Sequence, residues 1–227
     1  MISAGPDPVD VGISGGPIDT WVQFELPTAL DALTGPRHRI GDRLTGVDAA
    51  HAAALDSPGL YALYAEARTW RQLGLGAPPD DRPLYVGKAE DSPSTRDLRT
   101  HFATGATGQS SPRRSFAALL VDDLNLVAQP RRPERPEPDK WTHYALEADG
   151  DQRLTDWMLE HLHLAVWSTR AARPLAAMER AVMQHWQPPL NLTGVRQPWS
   201  AHVRKARAAM AQAAVSWIAA KRPDGGR

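Results

Sequence analysis

The chain has 227 residues, a formal net charge of zero and no cysteine. Its length suits one domain with short appendages, and the absence of cysteine excludes disulfide scaffolds, thiolate metal sites and cysteine nucleophiles. Generic nucleic-acid binders are usually basic, so zero net charge argues against that class. The basic side chains nevertheless gather in residues 196–227 and can form one basic face.

The first part of the chain, residues 1–56, predicts an N-terminal extension packed on the main domain. Residues 1–20 are rich in Gly, Pro and Asp and are expected to be mobile, and a helix is predicted near 47–55. There is no basic start with an apolar run behind it, and no apolar stretch approaches the roughly 18 residues of a membrane helix. The sequence therefore predicts a cytoplasmic protein with no membrane contact.

Two aromatic segments follow and predict a β-hairpin with a long connection. The sequence GLYALYA over 59–65 alternates apolar side chains, and PLYVGKA over 83–89 has the same character. The stretch between them, 68–83, contains Gly and Pro and is predicted to be a loop.

The rest of the chain alternates helical and extended patterns, which predicts an α/β fold. A small central sheet of about three main strands, the hairpin plus one more, would be flanked by helices. The predicted domain spans 57–195 with an insertion at 122–150, and a basic helix follows at 196–227. The predicted elements are helices at 94–104, 112–123, 151–161, 173–186 and 199–220, strands at 141–148 and 162–168, and an exposed segment at 130–139.

One charged side chain lies on an apolar helix stripe. Glu179 follows Leu175 by four residues and precedes Val182 by three, so all three share one face of the helix predicted at 173–186. A buried carboxylate needs a cation, a partner or a metal. A salt bridge, or an edge position open to water, would explain Glu179 equally well.

Two tyrosines occupy equivalent points of the predicted hairpin. Tyr61 follows Gly59 by two residues, and Tyr85 precedes Gly87 by two. Glycine at such points lets another backbone or a phosphate approach closely. Tyrosine in a strand is more often a packing residue. Lys88 follows directly and supplies a cation that could hold a phosphate or lower the pKa of a phenol.

In order, GLY, LYVGKAED, HF, a glutamate and PPLN resemble the GIY-YIG nuclease superfamily over about residues 58–192. The resemblance implies the GIY-YIG fold and a site built on the hairpin and the glutamate helix. The positions that match the family pattern are Tyr61, Tyr85, Gly87, Lys88, His101, Phe102, Glu179 and Asn191.

The arginine of the family pattern has no direct counterpart. It normally lies four residues before the histidine that closes the first helix, and that position is Asp97. Arg96 is one residue earlier and Arg99 two residues later. Arg96 is the favoured candidate for the catalytic role, and Arg99 is its rival.

The resemblance implies hydrolysis of phosphodiester bonds in nucleic acid, DNA by expectation, with one metal ion. Glu179 would anchor Mg²⁺ or Mn²⁺, and Tyr61 or Tyr85 would deprotonate water. Further contacts to nucleic acid are expected from Arg99, His101, Arg113 and Arg114. A solvated helix end would explain the last two arginines equally well, and a solvated face is the default for the charges of the final helix. The alternative function is a catalytically degenerate nucleic-acid-binding or interaction module.

Overall fold

The computed structural model describes residues 20–42, 53–91, 101–135, 142–169, 174–194 and 196–221. Six helices and six strands are defined within these ranges. The helices are α1 (Thr20–Thr34), α2 (Ala67–Gln72), α3 (Ser111–Leu119), α4 (Ala148–His161), α5 (Leu175–Trp186) and α6 (Ser200–Lys221). The strands are β1 (His38–Arg39), β2 (Gly59–Tyr64), β3 (Tyr85–Ala89), β4 (Ala128–Gln129), β5 (Ala145–Leu146) and β6 (His163–Ser168).

A four-stranded antiparallel sheet forms the centre of the fold, in the order β1-β6-β2-β3. The predicted hairpin and third strand are confirmed, with Tyr61 opposite Gly87 in the register of β2 and β3. The prediction did not include the short outer strand β1, which comes from the predicted N-terminal extension and pairs with β6. The predicted α/β class, a small sheet flanked by helices, is confirmed.

Helices cover both faces of the sheet. On one face, Tyr61 and Leu63 of β2 pack with apolar residues of α3, α4 and α6. On the other, Leu60, Ala62 and Tyr64 pack with α1 and α5. The Tyr64 hydroxyl donates to the Leu33 carbonyl at 2.8 Å, which ties α1 to the sheet. Successive residues of a strand point to opposite faces, so the strand pattern alone divides these side chains between two apolar clusters.

Two glycines of the hairpin are required by close approaches. A Cβ atom at Gly59 would lie 2.0 Å from the Trp167 carbonyl oxygen of the neighbouring strand. One at Gly87 would lie 2.3 Å from the Tyr61 hydroxyl. Side chains of any size are therefore excluded at both positions. The Tyr61 phenol packs directly against Gly87.

Three local predictions are wrong. The segment 68–83 is not all loop, because α2 forms at its start and buries Trp70 against Trp199, with ring centroids 5.7 Å apart. The helix predicted at 112–123 ends at Leu119 and gives way to a turn. The strand predicted at 141–148 is reduced to the two residues of β5, which pair with β4 in a separate small sheet.

Other predicted features fall at the limits of the described residues. Of the helix predicted near 47–55, residues 53–55 are described and are helical. Of the helix predicted at 94–104, only 101–104 is described, with His101 helical. The domain boundaries stay predictions. Among the helices in the described ranges, none combines the length and apolar character that crossing a bilayer requires.

Candidate active site

A cleft of about 410 Å³ opens at the outer edge of β3. Tyr85 of β3 lines it from one side, and Glu179 and Arg180 of α5 line it from the other. Ser111, the first residue of α3, and the segment after α5 complete the wall. The cleft therefore brings together a phenol and a carboxylate that are far apart in the sequence.

Glu179 lies at the rim of its apolar stripe rather than in the core. Leu175 and Val182, which share the stripe, are buried, whereas Glu179 is partly exposed and faces the cleft. Water, a cation or a phosphate-bound ion can therefore reach its carboxylate. Of the explanations left open by the sequence, the edge position with access to water matches this placement.

The two tyrosines and a histidine form one aromatic cluster. Tyr61 and Tyr85 have ring centroids 6.1 Å apart, and the His101 ring lies 5.7 Å from Tyr61 and 6.3 Å from Tyr85. Tyr61 is only 3% exposed, while Tyr85 reaches the cleft. The structure thus separates two residues that the sequence treats alike, with Tyr85 in front and Tyr61 behind.

His101 links Tyr61 to the start of α3. Its Nε2 lies 2.6 Å from the Tyr61 hydroxyl oxygen, and its Nδ1 lies 2.7 Å from Ser110 Oγ. Ser110 caps α3 by accepting a hydrogen bond from the Arg113 amide at 3.2 Å. A neutral imidazole has one donor and one acceptor nitrogen, so both bonds form in either tautomer. In the tautomer with the proton on Nε2, His101 donates to the Tyr61 oxygen and can stabilise a phenolate.

Burial keeps His101 neutral. Burial, and after it the charge of Arg113, lowers its pKa from 6.5 to about 4. The unfolded chain binds a proton on this imidazole below about pH 6.5, whereas the folded protein does so only near pH 4. Between these values acid favours the unfolded chain, and the stability contributed by neutral His101 is fully present above pH 6.5.

We therefore expect acidification from pH 7.5 to 5.5 to lower the free energy of unfolding by about 1.4 kcal/mol through His101 alone. Urea denaturation at the two pH values measures this change in the free energy of unfolding. In His101→Gln the change should be smaller than in the wild type by about 1.4 kcal/mol. The exposed His185→Gln is the control and should keep the wild-type difference. An unchanged difference in His101→Gln would contradict the buried neutral imidazole.

Asn191 closes the outer edge of β3. Its Oδ1 accepts from the Val86 amide at 2.9 Å, and its Nδ2 donates to the Val86 carbonyl at 2.8 Å. The Leu190 amide donates to the Leu84 carbonyl at 3.0 Å and extends the same closure. One side chain therefore satisfies both backbone groups of a buried residue, in place of a further strand.

Replacing Asn191 with alanine should lower the free energy of unfolding by about 2–4 kcal/mol, because both Val86 groups lose their partner in a buried setting. Urea denaturation with an unchanged m-value would report this loss. Gln184→Ala, at an exposed position of α5, serves as the matched control and should stay within about 0.5 kcal/mol of the wild type. Equal stability of the two variants would show that water replaces the amide.

A family model described as the GIY-YIG catalytic domain matches residues 79–209, which is more than half of the chain. The chain belongs to the GIY-YIG family. Membership supports a nuclease-type function and, with it, binding of nucleic acid. The match contains Tyr85, Glu179 and Asn191, and it begins after β2, so Tyr61 lies outside it. Searches of curated proteins and of solved structures returned no match.

Lys88 of this GIY-YIG chain lies away from the phenols. Along β3, Tyr85 packs on the face of the sheet that carries Tyr61, while Val86 belongs to the opposite apolar cluster. Lys88 shares the face of Val86, because side chains alternate along a strand. Its ammonium group pairs with Glu90. The expectation that Lys88 lowers the pKa of a phenol is not supported by this placement. Lys88 lies on the face of the sheet that carries α5 and Glu179, opposite the face that carries Tyr61.

The predicted contact between Arg113 and nucleic acid is wrong. Its side chain is 0% exposed and forms an ion pair with Asp151 of α4. Its remaining donors bind protein oxygens: Nη1 donates to the His101 carbonyl at 3.0 Å and Nε donates to Thr107 Oγ1 at 3.1 Å. The sequence predicts a phosphate contact at the start of α3. The Arg113 side chain instead lies in the core, because it pairs with the buried Asp151.

Arg114 is also buried, but its surroundings differ. It is 7% exposed, its Nη1 donates to the Gly108 carbonyl at 3.0 Å, and its Nε is buried without a hydrogen-bond partner. Burial, and after it the positive charge of Arg207, lowers its pKa to about 10. This guanidinium still carries a proton at neutral pH, and within the described ranges no carboxylate forms an ion pair with it, in contrast to Arg113.

The two candidates for the catalytic arginine, Arg96 and Arg99, lie outside the described residues, as does Asp97. Their assignment stays a prediction.

Of the described residues that line the cleft, one carboxylate, Glu179, can bind a metal ion. In the described ranges there is no group of three or more His, Asp or Glu side chains that could enclose an ion. The partly exposed Glu179 suits Mg²⁺, which often keeps several waters and binds one or two carboxylates together with substrate phosphate. The donor chemistry therefore fits the ion that the family resemblance implies.

Two cleft residues were missed by the sequence reasoning, Ser111 and Arg180. Arg180 lies outside the apolar stripe of α5, so the stripe pattern alone predicts an outward side chain. A residue at the rim of a stripe has neighbours that share its cleft, and this signal could have found Arg180. Ser111 gave no signal, because a hydroxyl near a helix start is common.

Proposed function

We propose that the protein is an endonuclease that hydrolyses phosphodiester bonds in DNA with a divalent cation, Mg²⁺ or Mn²⁺. The observation that carries the proposal is that Tyr85 and Glu179 line one cleft, with the hydrogen-bonded pair of Tyr61 and His101 packed directly behind Tyr85. Family membership supports the reaction class.

Each group has a chemical task in this proposal. Glu179 holds the cation, which when bound would supply positive charge to the phosphate and to the leaving oxygen. Tyr85 and Tyr61 orient the attacking water, and one of the two, as the phenolate, takes its proton. An unperturbed phenol with a pKa of about 10 is a weak base at neutral pH, so nearby positive charge has to favour the phenolate. Arg180 in the cleft and, by proposal, Arg96 supply that charge.

Incubation with supercoiled plasmid and Mn²⁺ tests the proposal. The wild-type protein should nick the plasmid, and Glu179→Gln should not, because a neutral amide binds a divalent cation far more weakly than a carboxylate. Glu160→Gln, at an exposed position of α4, is the matched control and should nick like the wild type. Equal nicking by Glu179→Gln, or none by the wild type on duplex or single-stranded substrates, would contradict an enzyme.

A second function, a nucleic-acid-binding module without catalysis, is favoured by Asp97 at the position where the family pattern has its arginine. It predicts binding of labelled DNA without any cleavage. An electrophoretic shift with intact DNA after long incubation in Mn²⁺ would favour this function over the first.

A further inference from the structure

Three arginines from distant parts of the chain meet beside the Ser111 wall of the cleft. Arg114 belongs to α3, Arg131 follows β4 and Arg207 belongs to α6. Arg207 Nη1 donates to Ser111 Oγ at 3.3 Å, and Arg114 Nη1 donates to the Gly108 carbonyl. The Arg131 stem packs on the same glycine, where a Cβ atom would lie 2.9 Å from its Cγ.

No carboxylate in the described part of the chain forms an ion pair with any of these three arginines, in contrast to Arg113 and Asp151. The three charges repel one another, since Arg207 and Arg131 both act to lower the pKa of Arg114. Arg204, one helical turn before Arg207, adds to this charge: burial lowers the pKa of Arg207, and the charge of Arg204 lowers it further. Among the described residues, no ion pair compensates the positive charge of this cluster.

Burial of Arg114 lowers the stability of the folded protein when no anion is bound beside it. Arg114 is 7% exposed, and its Nε–H is shielded from water with no acceptor among the described residues. A buried charge with an unfilled donor destabilises a fold unless something completes it. An anion beside the three guanidinium groups would supply the opposite charge.

The cluster is continuous with the cleft on two sides. Ser111, which accepts from Arg207, lines the cleft itself. Arg204 donates to the carbonyl of Leu192, another residue of the cleft wall. An anion bound at the cluster is thus beside a phosphodiester held between Tyr85 and Glu179.

We propose that Arg114, Arg131 and Arg207 form an anion subsite that binds a backbone phosphate of the nucleic acid next to the phosphodiester positioned at Glu179. The position of the cleaved bond rests on the proposed function, whereas anion binding at the cluster does not. Planar guanidinium forks match phosphate oxygens in pairs, and a backbone phosphate carries no sequence information. The subsite therefore contributes affinity and register for any sequence. In this proposal, α6 positions Arg207 beside the cleft.

Inorganic phosphate is the first probe, added to the full chain at constant ionic strength with chloride as the reference salt. Wild-type Tm should rise with phosphate and saturate, because a ligand that binds only the folded state stabilises it. Arg207→Gln and Arg131→Gln should lose most of this rise, and the exposed Arg71→Gln should keep it. Without phosphate, Arg207→Gln should melt at or above the wild-type Tm, because one repelling charge is gone. A full phosphate response in both cluster variants would overturn the subsite.

A labelled DNA oligonucleotide in EDTA is the second probe, measured by fluorescence anisotropy so that no cleavage occurs. Arg207→Gln and Arg131→Gln should each weaken binding roughly tenfold and reduce the slope of log K against log salt by about one. Arg71→Gln should leave both values unchanged. Loss of the phosphate response with unchanged oligonucleotide binding would mean that the cluster binds free phosphate, and would overturn the proposal. Weaker binding by the variants of a protein that never nicks DNA would uphold the subsite and reject the nuclease.

Discussion

Replacing Arg113 with methionine is expected to lower the free energy of unfolding by about 3–5 kcal/mol. The side chain is fully buried, and its removal leaves the Asp151 carboxylate, itself only 2% exposed, without its cation. Thr107 Oγ1 and the His101 carbonyl also lose a donor. Because a domain of this size is stable by only about 5–15 kcal/mol, the variant should be close to unfolding at 37 °C.

Urea denaturation measures this effect, and a second substitution identifies its cause. Arg113→Met combined with Asp151→Leu should recover much of the loss, because the Asp151 carboxylate is no longer left buried without its cation. The exposed Arg71→Met is the matched control and should change stability by less than about 0.5 kcal/mol. If Arg113→Met were as mild as Arg71→Met, the ion pair would not be buried as described.

Removing one phenolic hydroxyl is expected to reduce the cleavage rate by about 10²–10⁴-fold, the usual contribution of a positioned proton-transfer group. Tyr61→Phe keeps the ring over Gly87 and removes the oxygen that contacts His101. Tyr85→Phe keeps the wall of the cleft and removes its hydroxyl. Tyr85→Phe should fold like the wild type, whereas Tyr61→Phe should lose about 1–3 kcal/mol of stability, because its hydroxyl bonds a buried imidazole. Single-turnover nicking by folded protein therefore measures the catalytic loss in both variants.

The pH dependence of nicking separates the two phenols. The tyrosine that takes the proton governs the rise in rate with pH, so its Phe variant should show a flattened profile. The Phe variant of the other tyrosine should be slower at every pH with its profile retained. His101→Gln should resemble Tyr61→Phe, because the imidazole Nε2 lies 2.6 Å from the Tyr61 hydroxyl oxygen. Wild-type rates in both Phe variants would reject the phenols as catalytic groups.

Local patterns were sufficient for most of the sheet and for the glutamate. Alternating apolar side chains identified β2, β3 and β6, and the stripe of α5 singled out Glu179 by its charge. The face of the sheet on which Lys88 lies could also be predicted, since a residue three positions after Tyr85 in a strand points to the opposite face.

Partners that are distant in the sequence could not be predicted in the same way. Arg113 reads as a solvated helix start, because Asp151 lies 38 positions further on and nothing local links the two residues. Arg207 reads as part of a solvated basic face for the same reason, since only the folded chain brings it to Ser111. Helix α2 was missed because Gly and Pro follow it closely, while burial of Trp70 stabilises its single turn and a half.

Asn191 also affects whether the outer edge of this sheet can pair with a strand of another molecule. The outer strand of a sheet exposes amide and carbonyl groups that can pair with a strand of another molecule, which leads to aggregation. At Val86 both groups are already occupied by the Asn191 amide. The residue that shapes the cleft wall therefore also shields the sheet from self-association, and intermolecular β-pairing would begin where that amide is lost.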